Sequence, residues 1–108
     1  MSDNLKKVII IESWFNIIPA KKERLTKEWI ESRINIFMNY TLKSLQAQTN
    51  QNFLALLQYD DRSKSLIKYE LDKYKELPKN IKFVTKEEFD NIVKEKIKSY
   101  DKLYMVRL

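Results

Sequence analysis

The side chains that could do chemistry in this chain are carboxylates, amides, hydroxyls, lysine and arginine, because the sequence contains no cysteine and no histidine. Disulfides, thiolate nucleophiles, imidazole bases and zinc sites are therefore excluded. The most prominent candidates are two adjacent carboxylates, Asp60 and Asp61, which directly follow the apolar run "FLALLQY". One of them could accept hydrogen bonds from the imide of a uracil or thymine ring or from a ribose hydroxyl. Alternatively, Asp61 or Ser63 caps the helix that follows.

Glycine is absent as well, which removes every glycine-rich phosphate-binding loop. A nucleotide would have to bind through side chains and strand ends. The net charge is +6, but only four of the 21 basic residues are arginine, the better ligand for phosphate. The composition therefore argues against nucleic acid as a partner. A small basic nucleic-acid-binding domain that stacks bases on Trp14, Tyr59 or Tyr104 remains an alternative.

Apolar patterns in the first two thirds of the chain predict two strands and two helices. The run "KKVIIIES" is typical of a central parallel strand buried on both faces, and a loop around Pro19 follows it. From about Thr26, apolar residues recur every three or four positions and predict a long helix, with a stripe made of Ile30, Ile34, Phe37, Met38, Leu42 and Leu45. "FLALLQY" predicts the second strand. Ser63 could cap a second helix that buries Ile67, Leu71 and Tyr74 and closes at Pro78.

The last third predicts a strand, a helix and a final strand. "IKFV" is the third strand, and Thr85 with Glu88 forms a capping box whose flanking Val84 and Phe89 make a hydrophobic staple. The third helix ends near Tyr100, and "KLYMVRL" is the fourth strand. This alternation predicts an α/β fold: a three-layer, mostly parallel four-stranded sheet in the order β-α-β-α-β-α-β, forming a single domain over residues 1–108.

Ligands of open parallel sheets bind beyond the carboxyl ends of the strands, which draws attention to Glu12 to Asn16, Asp60 to Arg62 and Thr85. Arg107 adds to these segments, because a guanidinium in a terminal apolar strand must find an anion or reach an exposed edge. A phosphorelay receiver domain would have the same fold class. Its acidic pair, however, would follow the first strand rather than the second.

Three segments, "ESWFNI", "EWIESRINIFMNYTLKSLQAQTNQNFLALLQYDD" and the terminal "YMVRL", together resemble the N-terminal part of a rhamnosyltransferase-like family in the glycosyltransferase A superfamily. The middle segment carries most of the resemblance, at Trp29, Arg33, Phe37, Tyr40, Thr41, Leu42, Ser44, Leu45, Gln48, Thr49, Phe53 and Asp60. The resemblance implies that the chain is the nucleotide-binding half of the fold.

By this resemblance, Ser13, Trp14 and Asn16 would lie beside the nucleotide, and Asp60 or Asp61 would bind its base or ribose. Arg107 would immediately precede an acidic motif that binds Mg²⁺ or Mn²⁺ in the full-length enzyme and neutralises the diphosphate leaving group. We expect no metal ligand, general base or cofactor in this chain. We also expect it to be the N-terminal fragment of a longer glycosyltransferase and to be inactive alone.

The expected partner is a nucleoside-diphosphate sugar. No apolar run is long enough to span a membrane and no signal peptide is recognisable, so we expect a cytoplasmic location. The fourth strand would expose an apolar edge, which favours homodimers. A non-catalytic α/β interaction module is the other alternative.

Overall fold

The computed structural model describes residues 6–16 and 25–107, so the predicted loop around Pro19 lies outside the described residues. Within these described residues the four strands are β1 (Lys7–Trp14), β2 (Leu54–Tyr59), β3 (Ile81–Thr85) and β4 (Lys102–Arg107). The helices are α1 (Lys27–Ile36), α2 (Leu42–Gln46), α3 (Lys64–Leu71) and α4 (Lys86–Ser99). A π-helical turn, Phe37–Thr41, joins α1 to α2, and a 3₁₀ turn, Asp61–Ser63, precedes α3.

The strands form one sheet in the order β3-β2-β1-β4, and every neighbouring pair is parallel. The predicted α/β class is therefore confirmed, with a fully parallel sheet. β1 lies inside the sheet because β2 pairs on one side of it and β4 on the other. The strand order thus reverses at β1, and the carboxyl ends of β1 and β4 flank the position where open α/β sheets bind ligands.

Two hydrophobic clusters cover the two faces of the sheet and make the fold three-layered. One cluster packs α1, the π-helical turn, α2 and α3 against alternate residues of β2, Ala55, Leu57 and Tyr59. The other packs Phe89 of α4 against Leu56 of β2 and the β1 residues Val8 and Ile10. This division follows from the two-residue period of a strand, which directs successive side chains to opposite faces.

The first and last helices begin as the sequence predicts. Thr26 caps α1 by accepting a hydrogen bond from the Trp29 amide, and Thr85 forms a complete capping box with Glu88 at the start of α4. The predicted cap of the second helix is wrong. Ser63 makes no side-chain cap, and the carboxylate of Asp60 instead accepts the Arg62 amide at the start of the 3₁₀ turn. That helix also ends earlier than predicted, at Leu71, so Tyr74 lies outside it.

The predicted long helix is interrupted by the π-helical turn. Its buried stripe is as predicted at Ile30, Ile34, Phe37, Met38 and Leu45. The Leu42 amide donates to the Phe37 carbonyl, five residues back, which is the hydrogen bond of a π-helix.

Candidate functional site

The carboxyl edge of the sheet brings together the ends of β1, β2 and β4. The register aligns Trp14 with Gln58 across β1 and β2, and Glu12 with Arg107 across β1 and β4. The predicted residues of all three strand ends therefore lie along one edge. Four of them, Trp14, Asn16, Asp60 and Arg107, belong to two hydrogen-bonded clusters with different exposure, and Ser13 and Asp61 belong to neither.

The first, here called the loop cluster, consists of Asn16, Asp60 and Ser63 and joins the segments that follow β1 and β2. Asn16 is fully buried, and its Oδ1 accepts the Asp60 amide at 2.7 Å. Its Nδ2 donates to Ser63 Oγ at 2.9 Å, and Ser63 Oγ donates to the Asp60 carbonyl at 2.7 Å. A buried amide that is satisfied in this way fixes the two segments to each other.

The two predicted aspartates have different environments. Arg62 holds the Asp60 carboxylate with a bidentate pair of hydrogen bonds, from Nε to Oδ1 at 3.0 Å and from Nη2 to Oδ2 at 2.7 Å. The same hydrogen bonds raise the pKa of the Arg62 guanidinium. Asp61 is exposed. Asp60 thus shapes the turn, and the Asp61 carboxylate faces solvent.

The second, here called the edge cluster, consists of Glu12, Trp14, Gln58 and Arg107. Gln58 is buried and donates from Nε2 to Glu12 Oε2 at 2.6 Å. Glu12 Oε1 accepts hydrogen bonds from Arg107 Nε at 3.3 Å and Nη2 at 3.1 Å. The Arg107 guanidinium also lies 4.7 Å from the centre of the Trp14 ring, in a cation–π contact. Arg107 therefore lies on an exposed edge strand and also pairs with an anion, the Glu12 carboxylate.

Ser13 faces the side of the sheet that carries α1, opposite to its neighbours in the edge cluster. It lines a small cavity of about 70 Å³ together with Arg33, Phe37 and Thr41. A volume of that size is far below that of a ligand pocket. Ser13 is thus close to the edge in sequence but separated from Arg107 by the sheet.

A wider open groove, of about 1110 Å³, lies between the end of β2 and the start of α4. Asp61, Arg62, Thr85 and Lys94 are among its lining residues. Tyr59 borders it but is buried, which excludes the stacking role considered for this residue in nucleic-acid binding. Burial raises the pKa of the Tyr59 phenol above its usual value of 10.0, and the negative charges of Glu88 and Asp61 raise it further.

The described residues do not fit a site for Mg²⁺ or Mn²⁺. Over residues 6–16 and 25–107, no three acidic side chains group closely enough to hold a metal ion. The carboxylates nearest the position where the strand order reverses already form ion pairs, Glu12 with Arg107 and Asp60 with Arg62.

No helix in this described part of the chain is long and apolar enough to cross a membrane.

Gln58 is a site residue that sequence reasoning missed, and Glu12, which belongs to a segment singled out from the sequence, was given no role there. The available signal was the polar side chain of Gln58 inside the apolar run "FLALLQY", since a buried amide requires a hydrogen-bond partner. The sequence does not show which residue that partner is. The partner lies 46 positions away and is adjacent only through the parallel register.

A comparison with protein-family models matches residues 16–103 to the family described as "Putative rhamnosyl transferase". Comparisons with curated proteins and with solved structures give no match. The matched segment includes Asp61 and the loop cluster, whose hydrogen bonds join the segments that follow β1 and β2. The match covers most of the chain, and the resemblance to this family is confirmed. The chain therefore belongs to this family of rhamnosyl transferases.

Proposed function

We propose that the carboxyl edge of the sheet binds the nucleotide of a nucleoside-diphosphate sugar, and that the chain is the donor-binding part of a glycosyltransferase of the A type. The observation that carries this proposal is that Trp14, Asp61 and Arg107 lie at the carboxyl ends of β1, β2 and β4, along the edge of a sheet whose strand order reverses at β1. Parallel α/β sheets bind nucleotides at such positions. The family membership supports sugar transfer as the reaction.

The residues at this edge would have two kinds of role. The exposed Asp61 carboxylate is the acceptor for the base imide or a ribose hydroxyl, because the Asp60 carboxylate is held by Arg62. Trp14, which is 48% exposed, offers an aromatic surface for the base. Asn16 is fully buried and acts indirectly, by holding the loop that carries Asp61. Ser13 borders the same strand end from the opposite face.

Binding of UDP and dTDP, measured by isothermal titration, tests the role of Asp61. The Asp61→Asn variant should weaken both ligands by roughly 10-fold, since a hydrogen bond to a charged group contributes about 1.5–3 kcal/mol. Asp72→Asn is the matched control, because Asp72 is an exposed aspartate that follows α3. Equal losses in the two variants, or no binding by the wild type, would contradict the proposal.

The same experiment separates this function from the two alternatives. A non-catalytic interaction module would bind neither nucleotide. A nucleic-acid-binding domain would bind single strands with an affinity that falls steeply with salt, and would not discriminate between the two aspartate variants.

We also propose that two copies of the chain pair through β4. This strand is the edge of the sheet and exposes Tyr104, Met105 and Val106, and exposed apolar edges favour pairing. A twofold antiparallel pair centred between Tyr104 and Met105 would place Lys102 opposite Arg107 of the second copy. Salt should therefore strengthen the dimer by screening this repulsion. Sedimentation of a monomer at all salt concentrations would contradict the pairing.

A further inference from the structure

The edge cluster contains an arginine whose orientation is fixed before any ligand binds. Glu12 holds Nε and Nη2 of Arg107, and the Trp14 ring lies against the guanidinium at 4.7 Å. Glu12 is itself fixed by the buried Gln58 amide at 2.6 Å. Successive hydrogen bonds thus connect the buried Gln58 side chain, through Glu12, to the guanidinium of Arg107.

This arginine nevertheless remains accessible. Its side chain is 60% exposed, whereas that of Glu12 is only 12% exposed. A guanidinium has five N–H donors, and the Glu12 carboxylate uses two nitrogens of the group. Among the residues that the structure describes, none accepts a hydrogen bond from the third nitrogen, Nη1.

The position of the guanidinium determines which ligand it suits. It lies at the carboxyl end of β4, directly beside the end of β1, where the strand order reverses. An oriented, planar guanidinium with free N–H groups matches the oxygens of a phosphate, and prior orientation lowers the entropy that binding must lose. If the edge cluster only joined β1 to β4, the exposed Nη1 group of the guanidinium would have no role.

We propose that Arg107 binds the diphosphate of the nucleotide and that Glu12 and Gln58 are positioning residues that orient its guanidinium. This inference rests on the proposed function, which assigns the base and ribose to Trp14 and Asp61. Together, the two proposals place base binding at the ends of β1 and β2 and phosphate binding at the end of β4.

Titrations with UDP, uridine and pyrophosphate, without added divalent metal, test this division. The Arg107→Gln variant should bind UDP and pyrophosphate roughly 10- to 100-fold more weakly than the wild type. Its affinity for uridine should not change, because uridine lacks the diphosphate. Lys102→Gln is the matched control: it removes the same charge from the opposite end of β4 and should leave all three affinities unchanged.

A second variant, Arg107→Lys, tests the orientation rather than the charge. Lysine keeps the charge but cannot form the planar fork that contacts Glu12 and phosphate together. UDP binding by this variant should lie between that of the wild type and that of Arg107→Gln. An affinity equal to the wild type would show that charge alone is sufficient, and would overturn the positioning role of Glu12 and Gln58.

The failures of the two proposals are distinguishable. If wild-type protein binds UDP and the Arg107→Gln variant binds it equally well, the phosphate role of Arg107 is wrong and the nucleotide site stands. If the wild type binds pyrophosphate but not uridine, and Arg107→Gln loses the pyrophosphate binding, Arg107 recognises free diphosphate and the nucleotide proposal is wrong. If the wild type binds none of the three ligands, both proposals are wrong.

Discussion

The loop cluster and the edge cluster lie at the same end of the sheet, but they differ in where their hydrogen bonds lead. In the loop cluster, Asn16 and Ser63 are buried and bond to the backbone of Asp60. In the edge cluster, the bonds run outward from buried Gln58 to an arginine that is 60% exposed. Polar residues at the carboxyl edge therefore divide into those that hold its segments together and those that can contact a ligand.

The largest expected effect comes from breaking the loop cluster. Replacing Asn16 by leucine, which keeps the branching at Cγ but has no polar atom, removes the acceptor of the Asp60 amide and the donor to Ser63. Groups left unsatisfied in a buried position are costly, so the free energy of unfolding should fall by about 2–3 kcal/mol. Urea unfolding measures this difference. Asn91→Leu, on the exposed surface of α4, is the control, and equal losses would contradict the structural role of Asn16.

The capping box at Thr85 makes hydrogen bonds to the backbone, as the loop cluster does, but it is more exposed. The Thr85→Ala variant loses the bond to the Glu88 amide, and the free energy of unfolding should fall by about 1 kcal/mol. Thr49→Ala, at an exposed position outside the helices, should have almost no effect. A loss for Thr85→Ala as large as that of Asn16→Leu would remove the distinction between buried and exposed clusters.

Breaking the edge cluster should cost the fold less. Arg107→Gln removes an ion pair whose arginine side is largely exposed, and exposed pairs contribute about 0–1 kcal/mol. The Glu12 carboxylate, which is only 12% exposed, keeps its hydrogen bond from Gln58 in this variant. Urea unfolding of this variant should therefore stay within about 1 kcal/mol of the wild type. A loss as large as that of Asn16→Leu would instead identify Arg107 as a structural brace.

The smallest effect is expected in the pH dependence of stability, through Tyr59. Burial and the charges of Glu88 and Asp61 raise the pKa of Tyr59 in the folded chain. The folded state therefore holds this proton more tightly than the unfolded state, and stability is retained below pH 10 and lost as the pH rises through the folded pKa. Urea unfolding at rising alkaline pH measures the loss. Tyr59→Phe should reduce it, whereas the exposed Tyr40→Phe should not.

Much of the fold follows from local sequence patterns, for physical reasons that apply at short range. The stripe at Ile30 and Ile34, and the capping box at Thr85, are each set by residues within a few positions of one another. The π-helical turn at Phe37–Thr41 was not predicted, because the spacing of apolar residues over a long helix is not sensitive to one wider turn within it. In this turn, Asn39 Nδ2 donates to the Asn35 carbonyl, and such side-chain bonds compete with regular helix geometry.

The candidate site was less predictable because its contacts join residues that are distant in sequence. Arg107 could be recognised as needing an anion, but the identity of that anion, Glu12, depends on the pairing of β1 with β4. The cap was assigned to Ser63 because serine is a frequent N-cap. Instead, the hydroxyl is turned inward to Asn16, which approaches from the end of β1.

The most direct test of a nucleotide site at the carboxyl edge is a map of backbone and indole NMR shifts during titration with UDP. We expect the shifts to concentrate at the Trp14 indole and at the amides of Asn16, Asp60 and Asp61, and also at the amide of Arg107. Shifts spread over the lysine-bearing helix surfaces, or no shifts at millimolar UDP, would contradict it.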